Sequence, residues 1–181
     1  MFIIGKPFKK LVICVICCIL FVCCCISAVV CLLLLKGFRG RMSYKIKQIP
    51  EDFIVREIKK PVLKQNGQYM ICLLKKKDYT TQKAVEIISR FFYIKQKSIG
   101  YAGTKDRSAV TEQYISIKGN DAGKLKSFKA DRIELRFLGF SDAPICLGEL
   151  DGNEFEVVVR NLEGTGQEIE KREDFPDRKL T

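Results

Sequence analysis

Residues 11–35, LVICVICCILFVCCCISAVVCLLLL, contain no charged side chain, and no other stretch limits so strongly what the chain can become. As an α-helix rising 1.5 Å per residue, these 25 residues would be about 37 Å long, enough to cross a bilayer with some tilt. An apolar helical segment, transmembrane over 11–35 and in contact with lipid, is therefore one expectation. Seven of the nine cysteines (Cys14, Cys17, Cys18, Cys23, Cys24, Cys25, Cys31) lie in the run, leaving Cys72 and Cys146 outside it. That distribution is no disulfide framework, and reduced cysteine behaves as a small hydrophobe. A cleaved signal peptide fits poorly, because the run is too long and no A-x-A-like site follows. Lys36, Arg39 and Arg41, with Lys45 and Lys47 behind them, outweigh Lys6, Lys9 and Lys10, so a membrane helix here would place its C-terminal side in the cytoplasm. The competing reading, preferred because seven cysteines in one helix are unusual, makes 1–41 upstream sequence ahead of a start at Met42, where MSYKIKQIPEDFIVREI opens like a soluble, cytoplasmic domain.

The charge is unevenly spread. Residues 1–41 hold six bases and no acid, residues 42–140 hold 21 bases against 10 acids, and residues 141–181 hold 5 against 11. A basic body of that size suits a polyanionic partner such as RNA, although soluble domains also carry such charge without a specific partner. No histidine is present, which argues against an ordinary zinc site.

From residue 42 the pattern is that of short strands. FIVREI (53–58) and YMICLL (69–74) read as strands joined by a turn at Asn66-Gly67. In TTQKAVEIISRFF the period changes: Val85, Ile88 and Phe92 share one face, Lys83, Glu86 and Arg90 face away, and Thr80 or Thr81 supplies the N-cap. TEQYISI, RIELRFLGF and NEFEVVVR alternate as strands do. Six short strands with one clear helix predict an α+β domain with a mixed, largely antiparallel sheet over 42–162, followed by a loosely ordered tail over 163–181.

Between two of these strands lies GYAGTKDRSAVTEQ (100–113). Its glycines mark a connection, and Asp106 stands between Lys105 and Arg107. Two cations beside a carboxylate favour its charged form, so Asp106 is expected to be an anion, available as nucleophile or base. Taken alone, the triplet reads more readily as a solvated turn. It is not a phosphate-binding P-loop, for Thr104 precedes Lys105 and Asp106 follows it, and no nucleotide cofactor is expected.

YAGTKDRSAVTEQ resembles the signature of the TruD family of tRNA pseudouridine synthases. KQIPEDFIVREI (47–58), LLKKKDYTTQKAVEIISRFF and LGELDGNEFEVVVR are similar to three further elements of that family, in the same order. The resemblance covers about residues 43–162. It implies an isomerase that converts uridine to pseudouridine in RNA, most naturally tRNA, with no cofactor and no metal. It also implies roles: Asp106 catalytic, Phe155 against the target base, Asn153 a polar support, Lys47 a basic neighbour, with Lys105 and Arg107 flanking on the substrate side. Alternation alone would make Phe155 a core residue in line with Val157 and Val159, and Asn153 a turn residue after Gly152. Lys75, Lys76 and Lys77 could meet phosphates, but such a run is usually a solvated strand end. The family pattern continues beyond the GN-x-F strand through a further conserved element and an inserted domain, whereas EDFPDRKLT offers only Phe175-Pro176 before diverging. The expectation is therefore the N-terminal part of a pseudouridine synthase catalytic domain, incomplete by itself. The alternative is a membrane-tethered basic module that binds RNA without catalysis.

Overall fold

The computed structural model describes residues 9–15, 45–119 and 121–160. Seven strands make one sheet: β1 (Lys9–Val15), β2 (Phe53–Ile58), β3 (Tyr69–Lys77), β4 (Ile99–Tyr101), β5 (Val110–Lys118), β6 (Ile133–Ser141) and β7 (Gly152–Val159). Their order is β1-β7-β2-β5-β3-β6, with β4 attached to β5. β2 runs parallel to β5, and the other pairings are antiparallel. With helix α1 (Thr81–Phe92) and a short α2 (Ala122–Leu125), this is the expected α+β fold with a mixed, largely antiparallel sheet.

Helix α1 forms where the sequence period changes, and its ends follow local chemistry. Thr80 Oγ1 accepts a hydrogen bond from the Lys83 amide, satisfying one of the donors left free at a helix start. Ala84, Val85 and Ile88 are buried in one core with Met70, Cys72 and Leu74 of β3 and Ile115 and Ile117 of β5. Full burial of one such aliphatic chain contributes about 1.5–3 kcal/mol, more than helix propensity supplies over the same residues. The helix stops at Tyr93, whose backbone turns left-handed (φ 58°, ψ 40°).

The strands Phe53–Ile58 and Tyr69–Lys77 are joined through a bend at Asn66-Gly67 but do not pair, since β5 lies between them. The bend at Asn66-Gly67 instead carries the chain against β6, where a Cβ on Gly67 would stand 2.5 Å from the Ser141 carbonyl oxygen, so glycine is required by close approach. The apolar run does not begin as a helix. Residues Lys9–Val15 pair antiparallel with β7, from Lys9 opposite Val159 to Val15 opposite Asn153. The β-branched Val12, Ile13 and Val15 suit a strand, and the backbone edge of β7 supplies the hydrogen-bonding partners that a lone strand lacks. No helix among the described residues is long and apolar enough to cross a membrane, so a transmembrane helix and membrane contact gain no support. The remainder of the run and the 163–181 tail lie outside the described residues.

What positions the site is the edge of β5. Its first part, Val110–Glu112, is covered by β2, and its later part, Ile115–Ile117, by β4. The connection 102–109 leaves β4 and re-enters the sheet as β5 beside the start of β2, so the KDR triplet is delivered to the junction of the three strands.

Candidate active site

Asp106 finds its cation far along the chain. Lys47 Nζ lies 2.7 Å from Asp106 Oδ2. Burial alone would raise the Asp106 pKa, but the hydrogen bond and charge of Lys47, with the amides of Arg107 and Ser108, outweigh it and hold the carboxyl below the usual aspartate value. The side chain keeps 41% of its surface exposed, so the anion can be approached.

The neighbours in sequence do something else. Lys105 turns inward: its Nζ donates to Asn153 Oδ1 at 2.6 Å and lies 3.1 Å from Glu57 Oε2. Lys105 keeps 6% of its side-chain surface and Glu57 none, and neither Glu57 oxygen receives a well-aligned side-chain hydrogen bond. Burial pushes the Glu57 pKa up, opposed by the charge of Lys105. Arg107 is exposed and makes no ion pair among the described residues. The expectation of an anionic Asp106 thus holds through Lys47, not through the two flanking cations.

Beneath the carboxylate the loop is pinned by side chains from α1, β3 and β5. The Lys105 amide donates to Thr81 Oγ1 (2.9 Å), Thr81 Oγ1 donates to Gln113 Oε1 (2.9 Å), and Gln113 Nε2 donates to the Gly103 carbonyl (3.2 Å). Lys76 Nζ donates to the Asp106 carbonyl at 2.9 Å and to the Tyr79 carbonyl at 2.6 Å. Lys76 is fully buried, whereas Lys75 and Lys77 on either side of it are solvated. Lys75 pairs with Glu112, Lys77 with Glu51, and Lys76 serves the loop. Sequence reasoning missed this lysine, although strand period would have found it: Met70, Cys72, Leu74 and Lys76 alternate onto the core face of β3.

Lys47 is itself held. Its backbone is left-handed (φ 53°), and the turn that follows is tied by Asp52, whose Oδ2 accepts from the amides of Gln48 and Ile49. Arg160, just past β7, donates to both Asp52 oxygens at 2.8 and 2.6 Å. This fork-to-fork pair ties the Lys47 turn to the end of β7. Lys47 Nζ also sits 3.9 Å from the centre of the Phe53 ring, and Phe53 stacks on Phe155 with centroids 6.0 Å apart. Asn153 and Phe155 do share a face of β7, opposite Glu57 and Val55 of β2. Phe155, however, is 3% exposed and packed with Phe53, Val55, Ala109 and Val157. The structure gathers Lys47, Lys105, Asp106, Asn153 and Phe155 around one junction and leaves Arg107 outside, facing solvent.

Other reactive groups are few. Cys72 is buried and desolvation pushes its thiol up to about 12. No group of three or more His, Cys, Asp or Glu side chains that could hold a metal occurs among the described residues.

Fold and site together define an α+β sheet domain that presents one exposed, cation-held aspartate on a braced inter-strand loop. The sequence model described as "TruD: tRNA pseudouridine synthase D (TruD)" matches residues 35–176, and the chain belongs to that family. "tRNA pseudouridine synthase D" of Aquifex aeolicus (strain VF5) is 53% identical over 124 residues, covering 67% of this chain and 32% of the relative. "Probable tRNA pseudouridine synthase D" of Methanosarcina mazei is 40% identical over 126 residues, covering 70% and 29%. The crystal structure of a putative tRNA pseudouridine synthase D (TruD) from Methanosarcina mazei superposes with a TM-score of 0.69 at 38% identity, over 75% of this chain and 31% of that one. The chain therefore spans about a third of the length of the relatives it matches.

Proposed function

We propose that this chain carries the catalytic-loop portion of a tRNA pseudouridine synthase, an isomerase acting on uridine in cytoplasmic tRNA. The observation that carries the reading is the Asp106 carboxylate: charged, accessible, and set on a loop pinned at Gly103, Lys105 and Asp106 itself. The isomerisation breaks the bond from N1 to C1′, turns the uracil, joins C5 to C1′ and releases the C5 proton. An anionic oxygen can serve this sequence as nucleophile at C1′ or as base toward the C2′ proton, and both demand a carboxylate that stays ionised at neutral pH. Lys47 keeps it so. A uridine within a stack exposes neither bond, so the nucleotide must be extruded before it meets Asp106. Phe53 and Phe155, with Lys47 above Phe53, form an apolar support beside the carboxylate; the base reaches ring surface only where Lys47 moves aside. Asn153, fixed by Lys105, offers the remaining polar contact, and Arg107 at the rim is free to meet a phosphate.

The test follows tritium at uridine C5, which leaves as the new bond forms. The chain, and the chain completed with the remaining segment of the Aquifex aeolicus relative, are incubated with labelled tRNA. Release is expected from the completed protein and is lost in Asp106→Asn, which keeps its fold and tRNA affinity. Equal release from parent and variant, or none from either parent protein, would refute the assignment.

A further inference from the structure

Several cations away from Asp106 sit beside an acid: Lys75 beside Glu112, Arg56 beside Glu154, and Lys83 and Arg90 of α1 both beside Glu86. At the C-terminal end of α1 a group of them does not. Lys95, Lys97, Lys126 and Lys129 are exposed and engage no acid among the described residues. The acids nearest in sequence are occupied, Asp121 in capping α2 through the Lys124 amide (2.9 Å) and Asp131 beside Arg132 (3.3 Å). The α2 turn lies against the same helix end, with Phe128 edge-on to Phe91 at 5.1 Å. The α1 macrodipole offers about half a negative charge there, enough for one cation in its last turn and not for a group of them.

At this helix end, beside Lys124, stands Tyr93, 89% exposed. It occupies the left-handed cap of α1, a position ordinarily filled by glycine or asparagine because a Cβ is disfavoured there. A bulky ring in that conformation, fully in water, does nothing for the core. Lys124 Nζ sits 4.6 Å from its ring centre and within 5.8 Å of Phe91 and Phe92, so a charge is placed beside an open aromatic face. An exposed ring flanked by unneutralised lysines is the equipment with which proteins hold an unpaired nucleotide, the base stacked and the phosphates paired.

We propose that Tyr93, with Lys95, Lys97, Lys124, Lys126 and Lys129, forms a second RNA-contact site that stacks an unpaired base and holds its adjoining phosphates. The inference rests on RNA being the partner. Thr81 at one end of α1 holds the loop of Asp106, and Tyr93 stands twelve positions further along at the other end. At 1.5 Å per residue the two sites stand roughly 18 Å apart, about half a turn of duplex, so one folded RNA can occupy both.

The test uses the full chain, fluorescence anisotropy, and three probes: a tRNA transcript, a single-stranded oligouridylate and a heparin fragment. Tyr93→Asn suits the left-handed cap, so its thermal stability should equal or exceed the parent's. It should nevertheless weaken oligouridylate binding at least about fivefold, the loss of one stacked base, and leave heparin binding unchanged. Lys126→Gln with Lys129→Gln should instead flatten the slope of log K against log salt for oligouridylate by roughly 1.4. RNA binding within twofold of the parent in both variants, an equal loss toward heparin in Tyr93→Asn, or no RNA binding by the parent would overturn the proposal. Tritium release from uridine C5 by the completed parent protein, read independently of oligouridylate binding, separates failure here from failure of the isomerase reading.

Discussion

Lys105→Met tests whether the buried ion pair beside the loop is a structural necessity. At 3.1 Å and an effective dielectric of about 20, the Lys105–Glu57 attraction is about 5 kcal/mol gross, most of it offset by desolvation of both ions. Removing the ammonium leaves the desolvation of Glu57 uncompensated and takes the donor from Asn153. The expected loss is about 3–4 kcal/mol near pH 8, a large part of the stability of a small domain. The pH dependence has a definite sign. Glu57 already has its pKa raised by burial, and losing Lys105 raises it further, so the folded state binds a proton more readily than the unfolded chain. That contribution is fully present below the unfolded carboxyl value and is lost as pH rises through the folded one. The variant's deficit should therefore shrink at pH 5. Glu57→Gln combined with Lys105→Met removes the stranded charge and should recover most of the loss, short of about 1 kcal/mol for the orphaned Asn153. Urea unfolding followed by far-ultraviolet circular dichroism at pH 5 and pH 8 measures all three proteins. A double variant no more stable than Lys105→Met, or a deficit identical at both pH values, would refute the reasoning.

Two other perturbations read the same site. Lys47→Met should move the Asp106 titration upward, since the lysine is what overcomes the raising effect of burial; carbon-13 carboxyl NMR of parent and variant checks the direction. Asp52→Asn should lower the urea midpoint at neutral pH by loosening the turn that carries Lys47. Because Arg160 depresses the Asp52 pKa, the stability from this pair is present above the unfolded value and is lost as pH falls through the folded one, so parent and variant should converge on acidification.

Much of this was legible in the sequence because it rests on short-range rules. The α1 period, its Thr80 cap and the alternation of β6 and β7 depend on residues within a few positions of one another. The KDR loop was recognisable for the same reason. What could not be read was partnership. Nothing in TKDR says that Lys105 turns inward to Glu57 while Lys47, 59 residues away, takes the carboxylate. The Asn66-Gly67 bend was legible as a turn, but the close approach of Gly67 to Ser141 of β6 was not. The apolar run was read for helix by length and lack of charge. The edge of β7, which selects a strand for Lys9–Val15, is a feature of the folded sheet and not of the run.

The position of β2 also dictates an order of events. β3, β5 and β6 bring together Tyr69 to Ser141 and can close around α1 as soon as that stretch exists. β2 meets β5 over only three residue pairs, whereas its longer pairing is antiparallel with β7, and the Arg56–Glu154 contact across that seam joins residues 98 positions apart. At ribosomal rates of roughly 5 to 20 residues per second, β7 is made about 5 to 20 s after β2. Until then the Lys47 turn lacks Arg160 to anchor it, and loop-closure entropy works against the pairing. The nascent chain thus shapes the loop first and supplies its cation last, so Asp106 spends the early life of the molecule as an ordinary surface acid.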